Sequence, residues 1–208
     1  MFRDRTEAGE RLAAELRGRV PADALVLAVP RGGVVVAAEV ARALGLELDL
    51  VVVRKIGAPG NPEYAIGAVD EDGRVIGGRT TYADAEYIAR AAEAGRAEIA
   101  RRLESYRGER PAARIAGRVV VVVDDGIATG MTLLSAVESL RRRDAARIIV
   151  AAPVASVPAA RDLDRAADEV VVLEEPPDFY AVGQFYRFFD QTPDAEVVEL
   201  LREAWSRK

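Results

Sequence analysis

Val119-Val120-Val121-Val122-Val123-Asp124-Asp125-Gly126-Ile127-Ala128-Thr129-Gly130-Met131-Thr132 joins five valines, two adjacent carboxylates and a turn of small and hydroxyl-bearing residues. A strand that is apolar on both faces belongs inside a parallel sheet, where helices cover each side. Such sheets bind ligands outside the carboxyl ends of their strands, which is where Asp124 and Asp125 fall. The residues after them lead into a predicted helix over 131–142. Small residues there let backbone N–H groups approach an anion, the hydroxyls of Thr129 and Thr132 add donors, and the helix start adds positive potential. The helix contribution is modest, about 0.3–1 kcal/mol, so converging N–H groups must supply most of the affinity for a phosphate. The carboxylates would repel that phosphate. They suit sugar hydroxyls, or a metal held indirectly through substrate oxygens or water. An acid pair beside a phosphate cradle describes a ligand with vicinal hydroxyls at one end and a phosphate at the other. Ribose 5-phosphate fits.

Outward from this stretch, strands and helices alternate. Helices are expected over 4–17, 34–44, 83–106, 131–142 and 158–166, and strands over 24–29, 48–53, 118–123, 146–152 and 169–173. Asp4 and Glu7 give a capping-box start, and Gly18 and Gly45 stop two of the helices. Residues 54–61, with Gly57, Pro59 and Gly60, read as a loop. Residues 65–69 and 74–76 flank Glu71-Asp72-Gly73, a hairpin signal. This pattern predicts a single α/β domain over 1–208, three layers α/β/α around a mostly parallel, doubly wound sheet. Its core takes in residues 1–173. A small C-terminal hood and a helix occupy 174–208, because 174–192 is too aromatic for a disordered tail and too irregular for a core element. Arg141-Arg142-Arg143 ends a helix, where cations are favoured, and reads as structural. The alternating Arg and Glu of 83–106 read as a solvated helix face laced by i,i+4 pairs.

Composition removes whole classes of chemistry. The chain has no cysteine and no histidine, so disulfides, thiolate or imidazole metal sites and histidine acid–base catalysis are excluded. A metal would be a hard ion held by carboxylates and substrate phosphates, Mg²⁺ first among them. A net charge of −5 argues against broad nucleic-acid binding. The apolar runs are strand-length, too short for a membrane span, and the charged start is unlike a signal peptide, so a soluble cytoplasmic protein is expected. Of 29 basic residues only Lys55 and Lys208 are lysines. A lysine kept where arginine is otherwise written points to a use for a compact ammonium, and Lys55 falls at a strand end.

The stretch 120–132 resembles the signature of the type I phosphoribosyltransferases: four apolar residues, two acidic ones, and a short run ending in Thr-Gly-x-Thr. Other features of that family follow in order. Pro30-Arg31-Gly32-Gly33 is similar to its pyrophosphate-binding loop, and Arg54-Lys55 to the basic pair that reaches the same group. Residues 54–82 fall where the family carries its mobile catalytic loop, and 174–190 where its hood covers the accepting base. The resemblance implies 5-phosphoribosyl 1-pyrophosphate as donor, Mg²⁺ as cofactor and a nitrogenous base as acceptor. Asp124, Asp125, Arg31 and Lys55 would be the catalytic groups and 126–132 the 5′-phosphate loop. Phe179 and Tyr180 are the candidates for stacking on the base. A homodimer is the family's common habit. The rival is a regulatory protein of the same fold that senses a phosphoribosyl ligand without turning it over. An acidic chain with one helix before the first strand disfavours a DNA-binding regulator, and intact Arg31 and Lys55 favour catalysis.

Overall fold

The computed structural model describes residues 1–77 and 83–207, so the stretch 78–82 of the expected mobile-loop region lies outside the described residues. In chain order the elements are α1 Arg5–Leu16, β1 Leu25–Ala28, α2 Gly32–Leu44, β2 Glu47–Leu50, β3 Arg54–Ala58, β4 Asn61–Val69, β5 Val75–Gly77, α3 Ala85–Arg107, β6 Val119–Val123, α4 Met131–Arg142, β7 Arg147–Val154, α5 Val157–Ala166, β8 Glu169–Glu174 and α6 Asp194–Ser206. A short 3-10 helix, Val182–Phe185, lies between β8 and α6.

Five strands form a parallel sheet in the order β2-β1-β6-β7-β8. Alternate side chains divide its core. Val26, Val121, Val123 and Ile149 pack toward α1, α2 and α6, while Leu25, Val120, Val122 and Ile148 pack toward α4 and α5. Val120, Val121, Val122 and Val123 are wholly buried. At about 1.5 kcal/mol or more each, that one strand contributes more than any surface feature of the chain. The chain passes from β1 through α2 to β2 on one side, and from β6 through β7 to β8 on the other. Strand order therefore reverses between β1 and β6, and the crevice lies at their carboxyl ends.

Residues 54–61 are not a loop. Arg54–Ala58 is a strand, paired antiparallel with β4, and β5 completes a separate three-stranded sheet. Glycine and proline disguised it. The pairing is irregular on both sides of Gly57, and Pro59-Gly60 forms the turn of the hairpin. The second turn, 70–74, is anchored in the protein rather than in solvent. Asp70 is buried and accepts from the N–H of Arg74 at 2.9 Å and from Ser139 Oγ at 3.0 Å. Glu71 accepts from the N–H of Val52 at 2.9 Å and lies 3.5 Å from Arg107 and 3.7 Å from Arg143. Arg107 also donates to Asp49 at 2.7 Å. Burial raises the Glu71 carboxyl above its usual range in spite of Arg107.

The first residues of the chain pair with the hood. The N–H of Phe2 donates to the carbonyl of Phe185 at 2.7 Å, and that of Arg187 to Phe2 at 2.8 Å. Among the described residues no helix is long and apolar enough to cross a membrane.

The buried ion network carries a stability prediction. Arg107→Met leaves Asp49 and Glu71 without their shared cation and should cost about 3–5 kcal/mol in urea unfolding. Arg90→Ala breaks an exposed pair with Glu86 and should leave the unfolding midpoint nearly unmoved.

Candidate active site

At the crevice the loop after β1 meets the acid pair after β6 without side chains between them. A Cβ on Gly32 would lie 1.9 Å from Asp125 Oδ2, and one on Gly33 would lie 2.9 Å from the carbonyl oxygen of Val123. Backbone blocks a side chain at Gly33, whereas at Gly32 the Asp125 carboxylate and the Arg5 guanidinium would have to move to admit one. The Pro30–Arg31 peptide bond in this loop is cis. The N–H groups of Arg31, Gly32 and Gly33 have no acceptor among the described residues, and they gather at the start of α2.

The two aspartates have unequal surroundings. Asp125 Oδ2 accepts from Arg5 Nε at 2.7 Å, and both side chains are largely buried. Arg5 also donates to the carbonyl of Asp190 at 2.8 Å and lies 3.9 Å over the ring of Phe189. The Tyr186 hydroxyl donates to the carbonyl of Asp125 at 2.5 Å. Asp124 has no such cation. Burial first, and the neighbouring Asp125 charge second, push its carboxyl well above the usual carboxylate range, and Arg5 offsets this only in part. Burial, then Asp125, likewise raises the Tyr186 hydroxyl, which stays a donor.

The turn 126–130 is braced from below by β7. The N–H of Ile127 donates to Val154 at 2.9 Å, and the Ser156 hydroxyl to the carbonyl of Ala128 at 2.6 Å. The N–H groups from Ala128 to Thr132 have no acceptor among the described residues, and they gather at the start of α4. Lys55, Asp124, Val182 and residues 126–133 enclose a cavity of about 160 Å³. Lys55 is exposed, and its ammonium makes no ion pair among the described residues.

Other expected site residues are placed differently. Arg54 and Lys55 are neighbours in a strand and point to opposite faces. Arg54 turns to Glu98 of α3, at 3.7 Å. Arg31 reaches away from the crevice to Asp194, at 3.9 Å. In the hood, Phe179 packs against Phe185 with centroids 5.1 Å apart, whereas Tyr180 is 88% exposed. Both border a cleft of about 530 Å³ that also touches Ala128, Thr129 and Ser156. Arg5 and Tyr186 were missed by sequence reasoning. Arg5 is one arginine among many with no local motif, and Tyr186 could be read only as one more aromatic of the hood.

Among the described residues no cluster of three or more acidic groups could hold a metal by itself. A hard divalent ion commonly takes one or two carboxylates and completes its shell with water and substrate phosphates. Asp124 is the member of the pair without a cation, so the donor set fits that indirect mode.

The family model for the phosphoribosyl transferase domain matches residues 4–188. Two Mycobacterium tuberculosis proteins, each named "Putative phosphoribosyl transferase", are 43% identical over 208 residues, covering 98% of this chain and 47% of theirs. The chain thus spans about half the length of these relatives. The crystal structure of TT1426 from Thermus thermophilus superposes with a TM-score of 0.87 at 47% identity, covering 97% of this chain and 98% of that one. A hypoxanthine-guanine phosphoribosyltransferase from Bacillus anthracis shares the fold at a TM-score of 0.50 and 18% identity, covering 83% of this chain and 79% of that one.

The unequal acid pair predicts opposite stability effects. A carboxyl whose pKa rises on folding favours the folded state at pH below the ordinary carboxylate range, and that contribution is lost as pH rises through the folded value. Asp124→Asn should therefore raise Tm in the ligand-free protein, by a margin that widens from acidic to neutral pH in a thermal-melt series. Arg5→Ala strands the buried Asp125 carboxylate and should cost about 3 kcal/mol in the same protein.

Proposed function

We propose, from the premise that this chain belongs to the phosphoribosyl transferase domain family, that it uses 5-phosphoribosyl 1-pyrophosphate and Mg²⁺ to transfer phosphoribosyl to a nitrogenous base. The observation that carries the reading is the cavity shared by Lys55, Asp124 and the 126–132 turn, set beside the 30–33 loop at the sheet's reversal. In the transfer, the bond from ribose C1 to the pyrophosphate oxygen breaks and a bond from C1 to the acceptor nitrogen forms. The acceptor gives up its proton and pyrophosphate leaves.

Each group on the chain has a task that its surroundings suit. The N–H groups of 128–132 and the hydroxyls of Thr129 and Thr132 hold the 5′-phosphate. Asp124 and Asp125 face the ribose, where their carboxylates accept hydrogen bonds from its hydroxyls and favour positive charge developing on the ring. Lys55 and the free N–H groups of 31–33 take the charge of the leaving pyrophosphate. Mg²⁺, held through Asp124 by water and substrate oxygens, would add further neutralisation of that leaving group. The chemistry needs little covalent help from the protein. Orientation and preorganised charge supply the rate, so the lack of histidine and cysteine is no obstacle. On the acceptor side, exposed Tyr180 is the better stacking surface, because Phe179 is already packed on Phe185.

Calorimetric titration with the donor and Mg²⁺ tests the first half of this reading; no binding at millimolar donor would sink it. Replacing both Asp124 and Asp125 by Asn should lower kcat about 100-fold or more, in line with the loss of preorganised charge. An unchanged rate would remove their assigned role. Tyr180→Ala should raise the acceptor KM about tenfold, the scale of one lost base–aromatic stack, with the donor KM unchanged. Pyrophosphate release over a panel of bases identifies the acceptor.

A further inference from the structure

A second concentration of positive charge lies outside the cavity assigned to the donor. Arg31, Arg101, Arg102, Ser105, Tyr106 and Asp194 line a pocket of about 180 Å³ where α3, the loop after β1 and the start of α6 meet. The carboxylates nearby are too few for the guanidinium groups. Glu98 accepts from Arg101 at 3.0 Å and from Arg102 at 2.8 Å, and lies 3.7 Å from Arg54. Those hydrogen bonds from Arg101 and Arg102 hold its carboxyl down at about 2. Asp194 is the other acid. Its side chain is 60% exposed, and it reaches Arg31 only at 3.9 Å. Four arginines (Arg31, Arg54, Arg101, Arg102) thus face two carboxylates (Glu98, Asp194), an excess of two positive charges on a chain whose net charge is −5.

Helix pairing explains only part of this cluster. Glu98 with Arg101 and Arg102 makes ordinary i,i+3 and i,i+4 contacts on α3. Arg31 comes from another element and points its guanidinium into the same space. The Tyr106 hydroxyl donates to Asp194 at 2.6 Å and would turn to a ligand that displaces that carboxylate. Burial, then the bond to Asp194, pushes its hydroxyl up to about 12, so it stays protonated at neutral pH. The pocket lining is polar throughout, and Ser105 supplies a second hydroxyl.

We propose that this pocket is a second anion site, built for a free phosphate-class dianion such as inorganic phosphate or pyrophosphate, with Asp194 as a weak resident carboxylate that the ligand displaces. None of its six lining residues belongs to the cavity that holds Lys55, Asp124 and the 126–132 turn. The 30–33 loop links the two sites: Arg31 lines the pocket, and Gly33 lies against Asp124 of the other cavity. Occupancy fixes that loop through its side chain, so the ligand would act on the neighbouring site as an effector. The inference rests on these residues alone and stands whether or not the donor reading does.

Inorganic pyrophosphate titrated calorimetrically into the full chain at low ionic strength, where exposed charges are least screened, tests the site. Lys55→Ala weakens the other cavity by removing its one ammonium, and the binding event of the arginine pocket should remain at its parent affinity in that variant. Adding Arg101→Gln and Arg102→Gln to that variant should weaken the event tenfold or more. Adding Asp194→Asn should strengthen it at least threefold, a gain that a purely structural role for these residues does not produce. Unchanged affinity in the arginine variant overturns the proposal. So does loss of all pyrophosphate binding in Lys55→Ala, which would make the pocket an extension of the donor's own pyrophosphate subsite. If the arginine variant fails to show the parent circular dichroism spectrum, Asp194→Asn decides: no gain in affinity overturns the site.

Discussion

Two stretches of backbone meet across the reversal of the sheet with no space for a side chain between them, and the rest of the site is arranged around that contact. The loop after β1 can lie against Asp124 and Asp125 only because Gly32 and Gly33 lack a Cβ. A methyl group at Gly33 would force the two strand ends apart, and one at Gly32 would displace the Asp125 carboxylate from Arg5. The approach leaves the free N–H groups of one loop beside the carboxylates of the other. It also brings Arg5, from a helix that precedes the first strand, close enough to pair with Asp125. The doubly wound sheet supplies the crevice, but it is glycine that lets the crevice be shallow enough to work.

That close contact carries an electrostatic cost, and the chain meets it unevenly. Two carboxylates in one partly dry place cannot both ionise freely, because burial and mutual repulsion act together. Asp125 is given a guanidinium and a tyrosine hydroxyl at its backbone. Asp124 is given neither, and its carboxyl rises. The imbalance leaves Asp124 as the group whose charge depends on what arrives beside it, while Lys55 waits across the same cavity without a counter-ion among the described residues. A ligand with hydroxyls toward Asp124 and negative charge toward Lys55 would complete such an arrangement.

Much of this was legible in the residues. Five consecutive valines, a strand-end acid pair and a small-residue turn state their positions locally, since each depends on near neighbours in the chain. The parallel sheet, the glycine-rich turn after β1 and the small-residue turn before α4 all appear where the pattern put them. What escaped was non-local or disguised. Strand β3 was hidden because Gly57, Pro59 and Gly60 are loop-formers by composition, and only pairing with β4 reveals a bulged strand. Missing it had a second consequence. Arg54 and Lys55 read as a basic pair in a loop, but alternation in a strand sends one to α3 and the other to the cavity. Arg5 lies 120 residues from its partner, and no feature of its own neighbourhood distinguishes it from the other arginines. The Phe2–Phe185 pairing, which ties the first residues into the hood, is invisible for the same reason.

The contact between Gly126 and the 3-10 helix of the hood has a wider meaning. A Cβ on Gly126 would lie 2.4 Å from a methyl of Val182, so the 126–130 turn and the hood segment touch with nothing between them. Val182 lines the cavity of Lys55 and Asp124, and Tyr180, two residues before it, borders the larger cleft. The two halves of a substrate would therefore be separated by a wall one glycine thick. Pressure on either side of such a wall would be felt on the other, so a bulky occupant of the hood cleft would shift the 126–130 turn without touching what that turn holds. Selectivity on one side would then be in part a property of the other, set by the thickness of a partition.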